Sequence, residues 1–65
     1  MRNEDIEFVR DNMLLFTTSR RLTIEEAGRV YDIYNAITGQ SKKPTGCSRC
    51  VSNTLKVVLK TYNEL

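Results

Sequence analysis

The sequence predicts an all-α fold, a small three-helix bundle, on three observations. Apolar residues recur at three- and four-residue spacings in three stretches, no stretch alternates apolar and polar residues as a half-buried strand does, and the only Pro falls with two of the three Gly in one polar segment, residues 39–46. The chain has 65 residues, room for a single domain over residues 1–65, since a domain usually occupies roughly 100–200 residues. A chain of this length buries only about 60% of the surface exposed by its unfolded form. The core barely offsets chain entropy, so association with a partner is an expected source of stability.

The first helix is expected over residues 4–16, where Ile6, Val9, Met13 and Phe16 follow separations of three, four and three. Asn3 is its candidate N-cap, and Glu4, Asp5 and Glu7 suit the positive end of the helix dipole. Phe8, Leu14 and Leu15 fall off that stripe, so this helix is expected to have a second buried contact. Residues 17–22 are too polar to bury and read as a helix–helix connection.

The second helix is expected over residues 24–38. Thr23 and Glu26 have the capping-box spacing, in which hydroxyl and carboxylate each take up an orphan amide. Ala27, Val30, Tyr31, Tyr34 and Ile37 form the apolar stripe, and Gly39 supplies the left-handed residue that ends it. Gly28 costs about 1 kcal/mol against Ala inside a helix, which implies that another backbone approaches there. After the polar loop 39–46, Val51, Leu55, Val58, Tyr62 and Leu65 repeat at four, three, four and three, the seam of a third helix over residues 48–64.

Composition narrows the function. There is no His and there are two Cys, which removes the commonest general base and leaves too few ligands for a four-coordinate metal site within one chain. The acidic residues cluster near two helix starts, and no nucleophile–base constellation can be named, so a non-enzyme without a cofactor is expected. Residues 1–11 mix charged and single apolar residues instead of forming the basic and apolar regions of a signal peptide. The longest apolar run, residues 13–16, is far short of the ~20 residues that cross a bilayer, so no membrane association is expected.

Cys47-Ser48-Arg49-Cys50 is the one chemically loaded motif. At a helix start the positive dipole end and Arg49 favour thiolate, which suits redox chemistry, but the strand that precedes such a motif in thioredoxin-like folds is missing. A second reading has two chains each contributing Cys47 and Cys50 to a four-cysteine zinc tetrahedron in a homodimer. The third reading, which the sequence favours, has both cysteines as free thiols packed where the third helix meets the loop. Their joint replacement by Ser then costs about 1–2 kcal/mol.

Residues 39–63 hold Lys42, Lys43, Arg49, Lys56 and Lys60 with no acid. Arg49, Asn53, Lys56 and Lys60 recur at four, three and four, a single basic stripe opposite the apolar seam. The net charge is only +2 and the pI about 8.7, below the value above 9 that marks dedicated nucleic-acid domains. The favoured partner is therefore another protein, bound through apolar and basic helix surfaces. Exposed members of the set Phe8, Tyr31, Tyr34, Arg49 and Tyr62 are the candidate anchors, and Lys42, Lys43, Lys56 and Lys60 are the basic surface that steers the encounter. Leu15, Ile33 and Val57 are surplus apolar residues that would extend such an interface. Binding of DNA or RNA by the basic face of the third helix is the alternative.

Residues 31–50, Tyr-Asp-Ile-Tyr-Asn-Ala-Ile-Thr-Gly-Gln-Ser-Lys-Lys-Pro-Thr-Gly-Cys-Ser-Arg-Cys, resemble a pattern in small Cys-x-x-Cys-containing proteins of bacteriophages that infect Bacteroidota, the crAss-like phages among them. The shared features are a Tyr-Asn-x-x-x-Gly helix end, a Lys-rich Pro-Thr turn and a Cys-x-x-Cys helix start, over about a third of the chain. The resemblance implies a phage protein located in the host cytoplasm or the virion. A virion accessory part, a host-takeover or anti-defence factor, or a small regulator would fit it.

Overall fold

Asn12 divides the first apolar stretch into two helices. In the computed structural model, which describes residues 1–18 and 21–65, the chain forms α1 (Asn3–Asp11), α2 (Met13–Thr17), α3 (Ile24–Thr38) and α4 (Ser48–Asn63), with no strand among the described residues. The class is the predicted all-α bundle, but the three expected helices are four. Asn12 has φ −120° and ψ 32°, outside the helical well. Its side-chain amide and its backbone N–H both donate to the Phe8 carbonyl, at 2.9 and 3.0 Å. Side-chain competition of this kind is why Asn is a poor interior helix residue.

The break resolves the over-wide apolar face. It turns Leu15 and Phe16 into the core, whereas Leu14 is 74% exposed. Asn3 is not the cap of α1: Arg2, extended at φ −68° and ψ 152°, occupies that position without a side-chain capping bond. Its guanidinium is engaged instead with Asp5. The connection expected over residues 17–22 is shortened, because Thr17 belongs to α2, and Ser19 and Arg20 of that segment lie outside the described residues.

The later elements match their expected bounds to within a residue. Thr23 and Glu26 close the capping box, with the Glu26 N–H donating to Thr23 Oγ1 at 3.1 Å and the Thr23 N–H to Glu26 Oε1 at 2.9 Å. Gly39 ends α3 at φ 73°. Gly28 differs from expectation: a Cβ there meets nothing within 4 Å, so no backbone approaches it. Thr23→Ala is therefore expected to cost about 1 kcal/mol and Gly28→Ala to add a similar amount, opposite shifts of about 5 °C in melting temperature.

The most extensive packing joins α3 to α4, with α1 and α2 laid against α4. The core is Val9, Leu15, Phe16, Val30, Ile33, Tyr34, Leu55 and Val58, drawn from all four helices. Leu15 and Ile33 are 1% and 0% exposed, so neither belongs to a binding surface. Thr54 is the buried polar residue of α4, and its hydroxyl donates to the Cys50 carbonyl at 2.9 Å.

Candidate functional site

Asn35 holds the middle of the polar loop to α3. Asn35 donates from Nδ2 to the Lys42 carbonyl at 2.8 Å and accepts the Lys42 N–H on Oδ1 at 3.0 Å, so the backbone donor and acceptor of one loop residue are both tied to the helix. This places Lys42 Nζ 5.8 Å from the Tyr34 ring centre, within cation–π range. Beside it a groove of about 510 Å³ runs between α3 and α4, floored by Tyr31 and Tyr34 and bordered by Lys42, Lys43, Cys50 and Val57. Tyr31 is 3% and Tyr34 8% exposed. They line the groove as buried residues rather than protruding as anchors.

The other basic residues lie elsewhere on α4. Arg49, Asn53, Lys56 and Lys60 are all exposed, as their spacing predicts. Lys56 also borders a second groove of about 610 Å³, whose apolar residues are Phe16, Leu22, Ala27, Val51 and Leu55. The aromatic candidates do not converge. Phe8 is half-buried, edge-on to Phe16 at 6.3 Å with 85° between the rings, and covered by the Arg29 guanidinium 5.3 Å from its centre. Tyr62 is half-buried against the core. Of the surplus apolar residues named from sequence, only Val57 is exposed, at 37%.

Cys47 and Cys50 correct the favoured reading of the motif, because both thiols are exposed and neither closes the core. Cys47 serves as the N-cap of α4: its sulfur accepts the Cys50 N–H at 3.3 Å and the Cys50 thiol at 2.7 Å. Those two donors, the thiol first, hold the Cys47 thiol below its ordinary value, and donating to Cys47 pushes Cys50 up. With no packing to lose, the 1–2 kcal/mol assigned above to their replacement by Ser falls away, and only the cap remains at stake.

An ion-pair network centred on one buried carboxylate, and invisible to hydrophobic patterning, joins α1 to α3. Asp5 is fully buried. It accepts from Arg2 Nε at 2.8 Å and Arg29 Nη2 at 2.8 Å, and both guanidiniums also reach Asp32, each at 3.1 Å. Burial pushes the Asp5 carboxyl up, but the hydrogen bonds from Arg2 and Arg29 outweigh it and leave the group below its ordinary value. The spacing of three in Arg2–Asp5 and again in Arg29–Asp32 is a local sequence signal for each half of this network; what the sequence does not signal is that the two halves meet, Arg29 on Asp5 and Arg2 on Asp32.

Among the described residues no three His, Cys, Asp or Glu side chains gather as metal ligands. A zinc site would need Cys47 and Cys50 from a second chain. No described helix is long and apolar enough to cross a membrane. No protein family, curated protein or solved structure matches this chain.

Proposed function

We propose that this is a non-enzymatic, phage-type protein that binds a segment of another protein, a virion component or a host protein, at the groove between α3 and α4. The segment offers carboxylates to Lys42 and Lys43 and an aliphatic side chain to Val57 and the tyrosine floor. The observation that carries this reading is the convergence of Tyr31, Tyr34, Lys42, Lys43 and Val57 on one groove. An apolar floor under a cationic rim fits an acidic amphipathic partner better than a bare phosphate chain, because the floor takes up area that a phosphate cannot cover.

Arg49, Lys56 and Lys60 favour a second reading, DNA or RNA binding, because with Asn53 they form one exposed stripe along α4 that carries three cations and no acid. A homodimer sharing a four-cysteine zinc site is the third.

Selection from a random peptide display library tests the first. Enriched peptides are expected to combine acidic residues with an aliphatic anchor and to lose binding to Val57→Asp protein. Enrichment of basic or featureless peptides, or none, would contradict the reading.

A further inference from the structure

Partner binding leaves the most reactive pair of side chains in the molecule without a task. Cys47 and Cys50 are both exposed, and their sulfur atoms lie 2.7 Å apart across the first turn of a 16-residue helix. Two thiolates on one tetrahedral zinc ion would stand about 3.8 Å apart, given Zn–S bonds of about 2.3 Å. The observed spacing is shorter than two sulfurs on one zinc ion would show, and it puts the pair within reach of an intramolecular disulfide. Their positions also differ: Cys47 caps the helix and accepts the backbone N–H of Cys50, while Cys50 donates its own proton toward Cys47. Cys47 is the sulfur that a backbone donor at the helix start supports as a thiolate.

We propose that Cys47 and Cys50 form a thiol–disulfide exchange site that takes small-molecule disulfides such as glutathione disulfide, with Cys47 as the attacking sulfur and Cys50 as the resolving one. The Cys47 thiol gives its proton to solvent, and its thiolate attacks one sulfur of the small disulfide. A Cys47–glutathione bond forms, the glutathione disulfide bond breaks, and one glutathione thiolate leaves and is protonated. Cys50 then loses its proton, and its thiolate attacks Cys47 Sγ. The protein disulfide forms and the second glutathione leaves as a thiol. The protein gives up two electrons and two protons, and the small disulfide is reduced to two thiols. An excess of reduced glutathione drives the same steps backward. Cys50 also borders the groove between α3 and α4, but the exchange steps use the two sulfurs and the small disulfide alone, so they are followed in the free protein with no peptide present.

The test uses the reduced full-length protein equilibrated in glutathione buffers, quenched in acid, alkylated and weighed by mass spectrometry. The expected product is one intramolecular disulfide per chain, reversed by reduced glutathione. The effective concentration of the pair should be at least about tenfold higher in the folded protein than in the same chain in urea, because the helix start holds the sulfurs together. In Cys50→Ser the hydroxyl still donates to Cys47, and a glutathione mixed disulfide should accumulate on Cys47. In Cys47→Ser the same adduct on Cys50 should form about tenfold more slowly. Equal effective concentrations in folded and unfolded chains, faster capture at Cys50, or disulfides mainly between chains would each overturn the proposal. So would stoichiometric zinc that blocks oxidation, which would favour the shared zinc tetrahedron.

Discussion

Asp5→Ala should lower stability by about 2 kcal/mol, because it removes the buried carboxylate on which Arg2 and Arg29 converge and leaves the two guanidiniums to the exposed Asp32. In a domain this small the melting temperature should fall by more than about 10 °C. The sign of the pH dependence follows from the lowered carboxyl. A folded value below the unfolded one, near 3.9, means that the network contributes in full above about pH 5. Its contribution fades as the pH falls below the unfolded value and is lost as the pH passes through the folded one. Urea titrations of wild type and Asp5→Ala should therefore differ most at neutral pH and converge in acid. A difference that persists unchanged at low pH would show that Asp5 acts through packing and not through its charge.

Reversing charge at Lys42 and Lys43 should have the largest effect on binding. With an acidic display-selected peptide as probe, Lys42→Glu with Lys43→Glu is expected to weaken binding by at least about tenfold, or about 1.4 kcal/mol. Both residues are exposed, and stability should change by no more than about 1 kcal/mol, the loss of the Lys42–Tyr34 cation–π contact included. The same reversal at Lys56 and Lys60, which do not border this groove, should slow association only modestly. Truncating Tyr31 or Tyr34 is a poor probe, since both are buried and their loss would damage the core first. Equal losses from the two lysine pairs would move the binding surface onto the outer face of α4.

The helices with strong local signals are legible in sequence. Thr23, Glu26 and Gly39 bound α3 through backbone chemistry that acts within four residues, and of the four-three seam of α4 Leu55 and Val58 are buried and Val51 and Tyr62 half-buried, whereas Leu65, past the helix end, is 68% exposed. The first apolar stretch misleads for a physical reason. Periodicity counts apolar positions and is blind to one amide, that of Asn12, taking a carbonyl from the helix.

The candidate site is legible only in its parts. Lys42, Lys43, Tyr31 and Tyr34 stand out by type, but Asn35, which fixes Lys42 in space across seven residues, looks like any polar helix residue. The cysteines mislead because free Cys is usually buried. Here residues 39–50, the polar loop and the first residues of α4, are all exposed. Gly28 misleads in the opposite direction, a helix-weakening residue at an open position with nothing packed on it.

Competition between an acidic selected peptide and mixed-sequence DNA, followed across a range of salt concentrations, tests the proposed function most directly. If the groove docks a protein segment, DNA should fail to displace the peptide at physiological salt, and peptide affinity should fall only shallowly with salt. Contact of Arg49, Lys56 and Lys60 with a duplex would instead give a log–log slope of about −3, at nearly one unit per phosphate neutralised. Displacement of the peptide by DNA together with that slope would contradict protein docking and make nucleic-acid binding the function of α4.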